Sequence, residues 1–192
     1  MRVHNLNLPI NDDCVETLEV GDTVYLTGVV CTARDMAHLK IKRLLEEGKP
    51  LPVDWQGGAV IHAGPVVIKN ENKWKLSVIG PTTSIRMEPY AAMVGDLGVK
   101  LIVGKGGMAG ASLQQFSRHK QAYLQAPPGC AVLLASGVTE VLDAFWLENG
   151  MPEAMWVLKV EQFGPFIVTM DSQGHSRYDE LRENAEHTIA TM

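Results

Sequence analysis

Lys100-Leu101-Ile102-Val103, running straight into Gly104-Lys105-Gly106-Gly107, is the stretch that decides the fold. Leu101, Ile102 and Val103 have the character of a buried strand, and the glycines that follow end it abruptly. Ahead of it, Gly80-Pro81-Thr82-Thr83-Ser84 leads into Met87 to Leu97, which reads as a helix. Strand, helix and strand alternate here, the pattern of an α/β fold.

Towards the N-terminus, Thr23 to Val30 is rich in β-branched and apolar residues and predicts a strand that stops where Cys31-Thr32-Ala33-Arg34-Asp35 begins. From Asp35 to Glu47 the residues Ala37, Ile41, Leu44 and Leu45 recur at helical spacing, with Gly48 and Pro50 as the stop signal. A short strand around Ala59 to Ala63, an Ala63-Gly64-Pro65 turn and a hairpin about Asn70-Glu71-Asn72-Lys73 fill the interval. Towards the C-terminus a polar helix is expected over Ser112 to Lys120, and Val138 to Val168 mixes aromatic and β-branched residues suited to strands that close a sheet or barrel. Trp146, Met151, Met155 and Trp156 read as packing, and the charged tail from Tyr178 to Met192 as a surface helix or a flexible end. With 192 residues and 46% apolar content, the chain can bury a sizeable core as one domain over 1–192.

The balance of 17 Lys and Arg against 22 Asp and Glu, a net charge of -5, lacks the basic excess that a phosphate backbone demands, so no nucleic-acid partner is expected. No stretch approaches the roughly 20 apolar residues of a membrane span, and Met1 to Ile10 lacks the apolar core of a secretory signal. A cytoplasmic protein without a membrane partner is the expectation. Cys14, Cys31 and Cys130 are odd in number, far apart and free of CxxC pairing, which predicts reduced thiols and no metal site in this chain.

Four clusters hold nearly all the unusual polar residues, and each follows a strand-like segment, where ligand sites of α/β sheets gather. In the first, Arg34 and His38 stand four apart at a helix start and can share a face; an arginine there can grip a carboxylate through two parallel hydrogen bonds. A solvated Arg34 beside a capping Asp35 accounts for the same residues. The second holds His62, which can be a ligand contact or a core histidine satisfied by a backbone carbonyl. In the third, Thr82, Thr83 and Ser84 precede a helix and Arg86 follows. Capping accounts for one hydroxyl, whereas three hydroxyls and an arginine favour an anion site. In the fourth, Lys105 and Gly106 sit on a glycine turn that lets backbone approach a small ligand. The Walker spacing is absent and no Ser or Thr follows Lys105, which argues against an ATPase.

Taken together, Tyr25-Leu26-Thr27-Gly28 with Thr32-Ala33-Arg34-Asp35, His62-Ala63-Gly64-Pro65, Gly80 to Met87 and Gly98 to Met108 resemble, in order and spacing over about residues 18 to 175, the β subunit or C-terminal half of the class I fumarases and L(+)-tartrate dehydratases. The resemblance implies a swivelling β/β/α domain, an α/β fold with a compact barrel-like sheet flanked by helices. It further implies docking on an α subunit, in a heterotetramer, with a [4Fe-4S] cluster carried by that partner and none bound here. It carries over Arg34 and Arg86 as carboxylate-binding residues, Lys105 as an anion partner, and Thr82 as a hydroxyl close to the proton that moves. Thr83, Gly106, His62 and His38 are further substrate-binding candidates.

Departures from the fumarase pattern, namely His62, Gly150-Met151-Pro152-Glu153 and Phe163-Gly164-Pro165, set L-tartrate ahead of fumarate and malate. Two other readings stay open: a dicarboxylate-binding domain without chemistry, and a homoaconitase-like domain acting on a larger polyacid. The Thr-Thr-Ser-x-Arg and Gly-Lys-Gly-Gly pair argues against the latter.

Overall fold

The computed structural model describes residues 1–71, 73–127 and 129–191. Along the chain come β1 (Val3–Asn7), α1 (Asp12–Glu16), β2 (Thr23–Thr32), α2 (Asp35–Glu46), β3 (Ala59–Ile61), β4 (Val66–Asn70) and β5 (Lys73–Val78). A 3-10 helix (Ser84–Tyr90) leads into α3 (Ala91–Asp96), followed by β6 (Leu101–Gly104), α4 (Gly110–His119), β7 (Ala122–Gln125), α5 (Ala131–Ser136), β8 (Val138–Phe145), β9 (Met155–Met170) and α6 (Arg177–Ala190).

The strands β2, β3, β6 and β7 lie parallel in that spatial order. The long β9 runs antiparallel to both β7 and β2 and closes them into a five-strand ring, while β1 and β8 extend the sheet outside it. Side-chain parity builds two cores from this one sheet. Ala59, Ile61, Leu101, Val103, Ala122 and Leu124 fall in a cluster with Trp156, Leu158, Phe163 and Phe166, and fill the ring. Their neighbours Val60, Ile102 and Tyr123 join Ala37, Ile41, Val94 and Phe116 under the helices. Both faces are therefore covered, which is why Leu101 to Gly104 is buried without alternation.

Closing a ring this small needs sharp bends, and the register of β2 against β9 shifts twice, between Val24 and Leu26 and between Leu26 and Gly28. Gly28 sits at φ +129 with its α-carbon against Leu8, so a Cβ there would lie 2.9 Å from the Leu8 carbonyl.

Several expectations need adjusting. β2 continues two residues beyond Val30, because Cys31 and Thr32 keep pairing with Val60 and Ile61 of β3. Met87 to Leu97 is not one helix: Pro89 stands inside a 3-10 segment that begins at Ser84, and α-helical bonding starts only at Ala91. The expected hairpin is β4 paired with β5; Asn72 of its connection lies outside the described residues. The tail is helical to Ala190, its first turn capped by Ser176 and packed through Tyr178; Met192 lies outside the described residues. Among the described residues no helix is long and apolar enough to cross a membrane.

Candidate functional site

Because β2, β3, β6 and β7 are parallel, their C-terminal ends meet at one edge of the ring, and each hands its chain to one of the polar clusters or to the cleft beside them. Arg34 follows β2, His62 follows β3, and Lys105 with Gly106 follows β6. The fourth cluster arrives differently. The β4–β5 hairpin follows β3 at this edge and packs Val67 and Trp74 against the ring core, and the chain leaving it through Gly80 is stitched in between its neighbours. Ala63 bridges Pro81, the Thr82 N–H donates to the His62 carbonyl at 2.6 Å, and the Ser84 N–H donates to the Lys105 carbonyl at 3.1 Å. Segments near residues 63, 82 and 105 thus form a continuation of the sheet beyond its named strands.

Two arginines stand on this edge. Arg86 Nη2 lies 2.9 Å from Asp35 Oδ2 and donates to Thr82 Oγ1 at 3.1 Å, with its side chain 43% exposed. Arg34 is at the N-cap position of α2; its Nη2 is 3.1 Å from Glu153 Oε1, and its Nε is buried without a partner. Asp35 is therefore not the cap: it is the first helical residue and its carboxylate turns to Arg86. Glu153 does the capping work instead, accepting from the Met36 N–H at 3.0 Å.

Lys105 is exposed and, among the described residues, has no carboxylate within ion-pairing distance. It lines a cleft of about 510 Å3 with Thr83, Gly106, Gln125 and Cys130. Gly106 has φ +79, a conformation that side chains resist, so the turn that lifts Lys105 out depends on glycine.

Beneath this surface lies a buried polar layer. His62 Nδ1 is 2.9 Å from Ser84 Oγ, which also accepts from the Tyr123 hydroxyl at 2.8 Å. The Ser84 hydroxyl thus links the Tyr123 phenol, which donates to it, with His62 Nδ1 in one chain of buried polar atoms. Burial, then the nearby His38 and Arg86, hold the His62 imidazole well below its ordinary pKa. His38 Nδ1 donates to the Arg34 carbonyl at 2.9 Å, its ring stacks on Tyr90 at 5.2 Å, and burial lowers its pKa to about 4 despite that bond and Asp35. Burial also pushes the Tyr123 phenol up. A Cβ on Gly104 would collide with Ser84 Oγ, so this layer requires glycine at the end of β6.

The placement corrects two expectations. Arg34 and His38 do not share an outward face; His38 is 1% exposed and turns inward. His62, 2% exposed, is held by a serine hydroxyl and not by a carbonyl. Thr83 occupies the N-cap position of the 3-10 helix without a capping bond, so of the three hydroxyls none is used as a cap: Ser84 serves the buried layer and Thr82 serves Arg86.

Sequence reasoning missed Ser84 as a buried link, Tyr123, Glu153 and Glu88. Glu88 accepts from the N–H groups of Ala109 and Ser112 at 2.9 and 2.8 Å and from the Ser112 hydroxyl at 2.6 Å, capping α4 where its own N-cap residue is an alanine. A glutamate four residues into a Ser-x-x-x-Glu run carries no local signal of such a distant task.

Among the described residues no group of three His, Cys, Asp or Glu is placed to hold a metal ion. Cys31 and Cys130 are buried and Cys14 partly so, and burial pushes the Cys31 thiol up to about 12. Their separation and protonation do not fit the thiolate ligation of an iron–sulfur cluster.

The profile of the family described as Fumarase C-terminus matches residues 1–181. The chain is 44% identical over 179 residues to the L(+)-tartrate dehydratase subunit beta of Escherichia coli, covering 93% of this chain and 88% of that protein. A provisionally named L(+)-tartrate dehydratase subunit beta of Methanocaldococcus jannaschii is 46% identical over 171 residues, 88% of each chain. A provisionally named class I fumarate hydratase of Geobacillus stearothermophilus is 39% identical over 186 residues, which are 96% of this chain and 35% of that longer protein.

Proposed function

From the premise that this chain belongs to the Fumarase C-terminus family, we propose that it is the β subunit of an iron–sulfur hydro-lyase that converts L(+)-tartrate to oxaloacetate. Supporting this reading is the convergence of Arg34, Thr82, Arg86 and Lys105 at one edge of the ring, in a chain 44% identical to a protein named for that reaction. The chain acts as one domain in the cytoplasm, and its partner is an α subunit, paired with it in a heterotetramer. The [4Fe-4S] cluster belongs to that partner, since the three cysteines here do not fit it.

In this reading a dicarboxylate substrate is held between the arginines. A planar guanidinium matches a carboxylate with paired donors, and Lys105 adds a mobile point charge from the glycine turn. Dehydration removes a proton from one carbon and the hydroxyl from its neighbour, the two leaving together as one water, and the enol left behind becomes the keto acid. Thr82 is the hydroxyl beside the departing proton. Its oxygen accepts from Arg86, which favours a developing negative charge there, while its own O–H is free to pass a proton to an acceptor on the partner subunit. Thr83 and Gly106 line the adjoining cleft. His62 and His38 we assign to the support of this surface, the burial of both rings being the reason.

The longer relative named for fumarate hydratase supports a second reading, malate and fumarate as substrates. Anaerobic reconstitution with an α-type partner, assayed on L-tartrate, malate and fumarate, decides between them; the expected result is turnover of L-tartrate only when both chains are present. Appreciable activity of the chain alone would overturn the proposal. In the same assay Arg86→Lys keeps the charge but loses the planar paired donors that match a substrate carboxylate, and kcat/KM is expected to fall by roughly tenfold or more.

A further inference from the structure

Glu153 closes the Gly150-Met151-Pro152-Glu153 run, a departure from the fumarase pattern in which the sequence assigns Glu153 itself no role. Its carboxylate is divided between two elements: Oε1 meets Arg34 Nη2 at 3.1 Å and Oε2 accepts the Met36 N–H at 3.0 Å. The two side chains are only 23% and 20% exposed, so water screens the pair weakly.

The loop carrying Glu153 is pinned. The Trp156 indole N–H donates to the Met151 carbonyl at 3.0 Å, and the Val67 N–H approaches Met151 Sδ at 3.5 Å. The N–H groups of Glu153 and Ala154 both return to the Gly150 carbonyl, at 3.0 and 2.9 Å. Trp156 itself is fully buried, edge-on to Trp74 at 5.2 Å. On the other side of the guanidinium, Gly64 lets the chain close in: a Cβ there would lie 2.6 Å from the Pro152 carbonyl and 2.9 Å from Arg34 Nη1.

A guanidinium has five N–H donors, and Glu153 engages Nη2 alone. Arg34 Nε is buried with no acceptor, a costly arrangement unless a further group completes it. The side of Glu153 that faces α2 meets the positive end of a 12-residue helix, which offsets its charge and keeps it from repelling an incoming anion.

We infer that Glu153 is a positioning residue that locks Arg34 in one orientation, leaving the rest of its fork free for a substrate carboxylate. This rests on the reading that Arg34 binds such a carboxylate. Without Glu153 the guanidinium is free to rotate, and the carboxylate meets a moving target.

The test is Glu153→Gln in the reconstituted complex, alone and combined with Arg34→Ala. Glutamine still accepts the Met36 N–H, so the melting temperature stays near that of the natural chain, whereas KM for L-tartrate rises roughly tenfold with a smaller change in kcat. In the Arg34→Ala background Glu153→Gln adds nothing further, because its effect passes through the arginine. An unchanged KM, or an effect that adds fully to that of Arg34→Ala, overturns the inference. Should the natural complex turn over none of the three dicarboxylates, the reading of function fails by itself, and the inference is decided on the full chain alone. Hydrogen exchange at Arg34 Nε, followed by NMR of 15N-arginine protein, is then expected to be slow in the natural chain and at least tenfold faster in Glu153→Gln; equal rates overturn it.

Discussion

Ser84 illustrates how one hydroxyl can hold two elements and a surface together. It stands between the phenol of Tyr123 on β7 and the imidazole of His62 after β3, and its own residue begins the segment that carries Arg86. Ser84→Ala leaves the Tyr123 hydroxyl proton without its acceptor and a buried ring nitrogen of His62 without its partner, an expected loss of about 2–4 kcal/mol in urea unfolding. A loss under about 1 kcal/mol would mean that water takes over both bonds and that the layer is not a dry one. Of the residues at this edge, those legible in the sequence are Arg86 and Lys105, exposed charges in a hydroxyl- or glycine-rich setting, and Arg34, a charge standing where a strand hands over to a helix. Ser84 and Glu153 were illegible because their partners lie far along the chain, 39 residues away for Tyr123 and 117 for Met36. Local spacing carries no information about such pairs.

Strands with β-branched runs and helices with a long apolar face announced themselves, as Thr23 to Val30 and Asp35 to Glu46 do. β1, β7 and α5 did not. Ala122–Gln125 is four residues long and buried on both faces, so it shows neither alternation nor length, yet it is the strand through which the ring closes on β9. The 3-10 helix is hidden for a different reason: its apolar positions continue into α3, and only the interior Pro89 reveals the change of geometry. That segment also supplies the cap of its neighbour. Glu88→Ala removes every acceptor that α4 has for the N–H groups of Ala109 and Ser112 and strands a buried hydroxyl, at an expected cost of about 2–3 kcal/mol. Amide exchange at Ala109 and Ser112 should accelerate more than exchange in β6; uniform acceleration would assign Glu88 to global packing instead of capping.

For the molecule as a whole, acid is the condition that reaches the buried layer first. The unfolded chain takes up a proton on each histidine near pH 6.5, whereas folded His38 stays neutral down to about pH 4. Folded pKa below unfolded pKa means that stability is fully present above pH 6.5 and is lost as pH falls towards 4, by about 3 kcal/mol for His38 alone. His62 shifts the same way and extends the loss further. Asp22 does not offset it in this window: although burial opposes its charge, bonds from Arg2, His4 and Glu19 hold its carboxyl well below the usual range, so it remains ionised throughout. Urea titrations between pH 6.5 and 4 should show a falling stability, with a shallower slope in His38→Gln; a flat profile for the natural chain would mean that both imidazoles are charged inside the fold. The closing strand has one more consequence, for the order of events at the ribosome. Thr23 of β2 pairs with Ile167 of β9, so the ring stays open until β9 has been made, more than 140 residues after β2 begins. Until then the parallel set presents two bare edges, on β2 and on β7, each able to accept a strand from another nascent chain. Biosynthesis therefore has a vulnerable interval that ends only when β9 arrives, and slowing translation between β7 and β9 would lengthen it.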